Sequence, residues 1–251
     1  MAQSFFMDSI EAATITLTNC GTNANSAALK WRNNNVKAIN ASGIAPQIEI
    51  DFGTATSVNC FLIGNYYTSD DVDETAFSYW NGASYTLDSI DGGQQSGTFA
   101  NSNELYTLYS TRNATKYKIN LTPSSTMTFQ ISNLFMGNGY FTTSTDYDYR
   151  NTRGSQFRGE VITDQYGNPY THQINTTRKR IWDVVYRLSA SELASFNTEF
   201  DKVGINQKAF YFLDERVSST AWFLVKCENE ALLPVQQSAD LFELPLRLVQ
   251  L

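Results

Sequence analysis

The clearest pattern of apolar and polar positions in the chain runs from Thr177 to Leu188, TRKRIWDVVYRL. Read with period two, Arg180, Trp182, Val184, Tyr186 and Leu188 share one face, while Lys179, Ile181, Asp183, Val185 and Arg187 share the other. One aromatic and aliphatic face set against a charged one is the signature of a half-buried strand. A helix is predicted directly after it, over 190–203. Ser189 is placed to cap, Glu192 completes a capping box three residues on, and Leu188 can staple onto Leu193. Leu193, Phe196, Phe200 and Val203 then form a stripe at helical spacing, which Gly204 ends. Trp182, Tyr186, Phe196 and Phe200 are the predicted core of this unit and the residues on which any assembly through it depends.

Upstream, short β-like runs follow one another between turn-rich stretches. They are QIEIDF (Gln47–Phe52), VNCFLIG (Val58–Gly64), Ser84–Leu87, ELYTLYS (Glu104–Ser110), YKINL (Tyr117–Leu121) and MTFQISNL (Met127–Leu134). Many short strands separated by Gly, Asn, Asp and Ser predict a sandwich or barrel. Downstream of the helix, AFYFLDER, TAWFLVKCE and Leu241–Leu251 read as further strands, with Pro245 marking an edge or a bulge. The expected architecture is therefore mainly β, a sandwich over 1–139 and an α+β module over 140–251, joined through the irregular stretch after Gly137.

Composition sharpens this picture in a few places. Aromatics make up 14% of the 251 residues, which favours strands over helices. The net charge of −7 argues against a nucleic-acid partner. It falls wholly in residues 1–148, which hold 6 Lys and Arg against 13 Asp and Glu, while 149–251 hold 12 of each. That asymmetry also separates two modules. Cys20, Cys60 and Cys227 are odd in number and far apart, so a buried, reduced role is expected rather than a disulfide or a metal. The N-terminal residues lack the basic region and unbroken apolar core of a secretory signal, and no apolar run reaches membrane-spanning length. Synthesis in the cytoplasm without membrane insertion is the expectation.

The order of Trp31, QIEIDFG, VNCFLIGNYY, KYKINL and MTFQISNLFMG resembles the discoidin (coagulation-factor C domain) family over residues 20–137. The resemblance implies a jelly-roll sandwich whose loops bind sugars or lipid head groups. Beyond it, the DYDY connector, WDVVYRLSASE, FYFLD and LFELPLRLV resemble tail-tip proteins of long-tailed bacteriophages. That second resemblance implies a structural role in the virion: self-association into a ring, contact with tail tube, hub and tape-measure proteins, and a peripheral domain that touches host glycans. A monomeric carbohydrate-binding module or lectin is the rival, and a glycosidase-associated protein a third reading.

Candidate chemistry is sparse. His172, in YTHQIN, is the single histidine and reads as a turn or strand residue rather than a triad member, a zinc site would need several further ligands, and no catalytic residue is expected. Phosphate-cradling glycine motifs are missing, and no cofactor is implied. The richest stretch is Asn65–Trp80, read as a loop. Asp70, Asp71 and Asp73 offer oxygen ligands for Ca²⁺, and Tyr66, Tyr67, Tyr79 and Trp80 offer rings for stacking on a sugar. The same residues also fit a solvated acidic loop beside ordinary core aromatics.

Overall fold

A computed structural model describes residues 4–7, 10–21, 24–30, 39–43, 45–69, 72–90, 99–123, 127–139, 141–142, 152–156, 159–163, 169–173, 179–204, 207–214 and 221–251. At 39–43, 73–74, 100–101, 123, 127, 152–153, 155–156, 159–163 and 169–173 it describes the backbone alone. Trp31, Asp70, Asp71, Arg178 and most of the connector after Gly139 lie outside the described residues. Strands β1 to β9 are Ser4–Phe6, Thr14–Thr18, Ile39–Gly43, Gln47–Thr68, Val72–Trp80, Tyr85–Asp88, Ala100–Pro123, Met127–Ile131 and Asn133–Gly137. Strands β10 to β14 are Phe141–Thr142, Thr152–Gln156, Gly159–Thr163, Pro169–Gln173 and Lys179–Leu188. Helix α1 is Ala190–Phe200, and β15 to β18 are Phe210–Leu213, Trp222–Cys227, Val235–Ser238 and Leu241–Gln250. The chain is mainly β with antiparallel sheets, as the periodicity predicts, and α1 is the one α-helix among the described residues.

Contacts divide the chain into two compact units. One comprises Ser4–Phe141 with Phe210–Phe223, the other Thr142–Ala209 with Leu224–Leu251. The strand β15 thus sorts with the first half of the chain, although it comes after the helix in sequence.

In the first unit β4 and β7, at 22 and 24 residues, form the central antiparallel pair. They are too long to stay flat, and two offset bulges bend them. From Asp51↔Lys116 to Thr56↔Ala114, β4 advances five residues while β7 advances two; from Val58↔Arg112 to Cys60↔Thr107 the excess is reversed. Bulges of this kind let a strand turn a corner from one sheet layer into another. The Tyr117 hydroxyl sits between them, accepting from the Ala114 N–H at 3.0 Å and lying 2.5 Å from the Thr56 carbonyl and 2.9 Å from that of Arg112. Before the corner, β4 lies between β2 and β7, with β5 and β6 beyond β7; after it, β4 lies between β7 and β9. Side chains from both halves meet in one core, where Phe61 stacks on Phe77 at 5.2 Å and on Tyr106 at 4.7 Å, and Phe77 on Tyr117 at 5.5 Å.

The half beyond the corner is buried on its other side as well. Leu62 and Phe135 are paired across β4 and β9, and Phe135 meets Phe6 at 6.1 Å and Tyr211 edge-on at 4.9 Å. Strands β1 and β15, paired through Phe5↔Phe212, supply that cover. A polar seam runs through it: Tyr211 donates to Asn133 Oδ1 at 2.8 Å, the Asn65 N–H to Asn103 Oδ1 at 2.8 Å, and Asn103 Nδ2 to the Trp222 carbonyl at 2.8 Å. Gly64 lies against this seam, where a Cβ would collide with Asn133 Oδ1 and the Tyr211 hydroxyl.

The second unit follows the predicted pattern closely. Trp182, Val184, Tyr186 and Leu188 are buried along β14, paired in register with β18 from Ile181↔Val249 to Leu188↔Phe242. Ser189 and Glu192 make the capping box, and Leu193, Phe196, Phe200 and Val203 are buried as α1 packs on β14 and β18. The α-helix proper ends at Phe200, and a turn reaches Gly204, whose φ of +67° terminates it.

Candidate functional site

The stretch Asn65–Trp80 is not one loop. Its first residues finish β4 and its last nine are β5, so the candidate residues are distributed by strand geometry. Tyr66 is fully buried and stacks on Phe99 at 4.4 Å, which removes its ring from any ligand. Tyr67 is half-buried; Asp73 lies in β5, its side chain outside the description. Successive strand residues face opposite ways, and the register separates Tyr79 from Trp80. Tyr79 is paired with the core residue Tyr117 and lies under the Arg112 guanidinium, 5.0 Å from the ring centroid. Arg112 is itself held by Asp88 at 2.5 and 2.7 Å, which raises its pKa. Tyr66 lies within the core, whereas Trp80 pairs with Tyr85 in the β5–β6 hairpin, so Tyr66 and Trp80 do not form one site. Tyr66 is thus removed from the grouping expected from the sequence, and Asp70 and Asp71 of that grouping lie outside the described residues.

Trp80 instead belongs to the outer face of the sheet before the corner. An Asn81–Gly82 turn closes the β5–β6 hairpin. The Asn81 carboxamide accepts from the Ala83 and Ser84 N–H groups at 2.9 Å and donates to Thr86 at 2.9 Å, and Gly82 has φ +101°. The hairpin pairs Trp80 with Tyr85, their rings edge to face at 5.3 Å, and Ser78 with Leu87, which is 62% exposed. Across β7 and β4 the same face presents two ion pairs. Lys116 meets Asp51 at 3.0 Å, and Lys118 lies 3.9 Å from Glu49 with its ammonium 4.0 Å over the Tyr85 ring. Exposed Thr14, Thr16 and Thr18 of β2 extend the face beyond β4.

Charges on this face are matched one for one. The hydrogen bond from Lys116, with a second from the Gly53 N–H, lowers the pKa of Asp51, and Asp51 in turn raises that of Lys116. Burial first, then the neighbouring Glu49 and Asp51, pushes the Tyr85 phenol up. At neutral pH the face is a net-neutral surface with a Trp–Tyr–Leu ridge along one side and hydroxyls and ion pairs along the other. Such a surface can stack on the apolar side of a ligand ring while offering donors and acceptors around it. Tyr85, Leu87, Lys116 and Lys118 are missing from the residues picked out in the sequence. Their only signal there was period-two alternation, which shows that they face solvent but not that they share a register with Trp80.

Among the described residues no cluster of three or more His, Cys, Asp or Glu gathers for a metal, and no helix is long and apolar enough to cross a membrane. His172 lies in β13, its side chain outside the description. All three cysteines are buried thiols.

No protein-family model and no curated protein matches the chain. Solved structures do. The family 32 carbohydrate-binding module of NanJ from C. perfringens, in complex with galactose, is 16% identical over 53% of this chain and 98% of its own, with a TM-score of 0.39. A chitosan-binding module of a chitosanase/glucanase from Paenibacillus sp. IK-5 is 10% identical over 52% and 98%, with a TM-score of 0.40. A GH29 fucosidase of Ruminococcus gnavus, in complex with fucose, is 13% identical over 54% of this chain but only 27% of its own, also at 0.40. These similar structures are binding modules and a glycosidase; they lend no support to the tail-tip role expected from the second half. With such identities and TM-scores the fold rests on the topology described above.

Proposed function

We propose that this chain is a carbohydrate-binding protein whose ligand lies on the outer face of β6, β5, β7 and β4. The observation that carries the reading is the Trp80–Tyr85 pair, held edge to face on an open, charge-balanced sheet. An aromatic ridge beside satisfied ion pairs suits a neutral, polyhydroxylated ligand. Sugar C–H faces pack on the rings, and a charged ligand would have to break pairs that already neutralise one another. The discoidin resemblance in the sequence points the same way. Self-assembly into a phage tail ring, the expectation that this reading replaces, rests on the order of elements and a few short strings in the sequence alone. The test is a glycan array probed with the full chain and with Trp80→Ala. Binding to one or more neutral glycans that Trp80→Ala removes supports the proposal. An array on which the two proteins behave alike overturns it.

A further inference from the structure

The two ion pairs on the outer face are not alike. Lys116 and Asp51 are in direct contact at 3.0 Å, and the Asp51 carboxylate also accepts from the Gly53 N–H at 2.8 Å. Lys118 and Glu49 stand 3.9 Å apart, beyond hydrogen-bonding distance. Their charges balance, yet an ammonium donor and a carboxylate acceptor remain side by side without a direct bond between them. Both side chains still reach solvent, at 22% and 30% of their surface.

The register sets where this open pair lies. Lys118 of β7 is directly opposite Glu49 of β4 on one side and Ser78 of β5 on the other. Ser78 is opposite Leu87 of β6, and Glu49 is opposite the exposed Thr16 of β2. Residues opposite one another share a face, so Leu87, Ser78, Lys118, Glu49 and Thr16 form one row across five strands. Tyr85 joins that row to the aromatic ridge. Its ring meets Trp80 edge to face at 5.3 Å, and the Lys118 ammonium lies 4.0 Å over the same ring. That cation–ring contact holds the ammonium at the foot of the ridge. The Tyr85 hydroxyl is shut off from solvent and makes no direct hydrogen bond. After burial, Glu49 is the main cause of its raised pKa, which puts the carboxylate beside the phenol. Tyr85 thus positions the two charged groups and does not itself meet a ligand through its oxygen.

A donor-only group beside an acceptor-only group matches two neighbouring hydroxyls of one sugar ring, one accepting and the other donating. Hydrogen bonds to charged groups are the stronger kind, and here neither charge has to leave its partner. Resting on the reading of this face as a sugar site, we propose that Lys118 and Glu49 are its specificity-determining pair. The ligand class is then a glycan with two free neighbouring hydroxyls, one accepting from Lys118 and the other donating to Glu49. The test is chemical-shift mapping of the full, isotope-labelled chain with methyl β-D-galactopyranoside, methyl β-D-glucopyranoside and methyl α-D-mannopyranoside. Each is run beside its fully O-methylated counterpart, which keeps the ring but has no hydroxyl to donate. Saturable shifts at Glu49, Trp80, Tyr85 and Lys118 are expected with at least one free glycoside and with none of the O-methylated ones. Affinity for that glycoside should fall at least about tenfold in Glu49→Ala and in Lys118→Met, the scale of one hydrogen bond to a charged group. It should return close to wild type in Lys118→Arg, which keeps a charged donor. The inference is overturned by the lack of any shift at these residues up to about 50 mM, or by equal shifts with an O-methylated glycoside. Wild-type affinity in Glu49→Ala and Lys118→Met, with loss in Trp80→Ala, overturns the pair alone and leaves the face as a sugar site. Unchanged affinity in Trp80→Ala as well removes both.

Discussion

The two halves of β4 are the most informative comparison in the molecule. From Gln47 to Asp51 buried and part-exposed residues alternate. Ile48 and Ile50 enter the core, while Glu49 and Asp51 face outward toward lysines. From Cys60 to Ile63 every residue is buried, because β1 and β15 cover the side of the sheet that would otherwise face solvent. One strand, bent at its bulges, thus serves as the wall of a one-sided layer and then as the middle of a three-deep stack. A ligand can reach the outer face of only the first half, and the aromatic ridge at Trp80 and Tyr85 stands there.

Truncating the doubly covered half should cost the most. Phe61 stacks on Phe77 and Tyr106, so Phe61→Ala should destabilise the first unit by about 3–5 kcal/mol. Glu49→Ala, on the open face of the first half, should shift stability by no more than about 0.5 kcal/mol. Urea unfolding of both variants measures the contrast, and equal losses would erase the distinction between the halves.

Gly64→Ala should rank next, at about 1–3 kcal/mol, because the added methyl displaces the Tyr211 hydroxyl or Asn133 from the seam. The same substitution at Gly154, where an added methyl would have nothing within 4 Å, should cost much less. Thermal melts of the two variants decide this, and a Gly64→Ala protein that melts like wild type would mean that β15 does not cover β4 as described.

The effect that vanishes at neutral pH is in the pH profile. Burial above all raises the pKa of Tyr66 and Tyr106, so the folded chain keeps both phenols neutral while the unfolded chain ionises them near pH 10. A group raised on folding contributes stability that is fully present below the unfolded value and lost as pH climbs above it. Stability should therefore be unaffected by these groups at neutral pH and fall above pH 10, by at most about 1.4 kcal/mol per pH unit for each. Tyrosinate absorbance should rise with unfolding rather than before it. Early ionisation of all the tyrosines in the folded state would count against the buried placement of Tyr66.

How much of this was legible in the sequence depended on whether the signal was local. The β14–α1 unit was fully legible, since period-two alternation, a capping box and a terminal glycine lie within about thirty residues. The alternation of Gln47–Asp51 gave the open half of β4 in the same way. The apolar run Cys60–Ile63 within VNCFLIG fits burial on both faces, but its cover comes from Phe6 and Tyr211, at distant points in the chain, and no local pattern announces such a partner. The candidate site was half legible. Trp80 was picked out together with Tyr66, Tyr67 and Tyr79, and nothing local separated it from them until the strand parity was known. Lys116 and Lys118 join the site only through the β5–β7 register, which a bulge in either strand would have shifted.

Sugar binding stands or falls with the open outer face, and calorimetric titration with the best array glycan probes that face directly. Trp80→Ala should lose at least about tenfold in affinity, the scale of one aromatic contact. Its melting temperature should stay close to that of wild type, because Trp80 is only half-buried. Wild-type affinity in Trp80→Ala, in a protein that still folds, would contradict a ligand seated on this face.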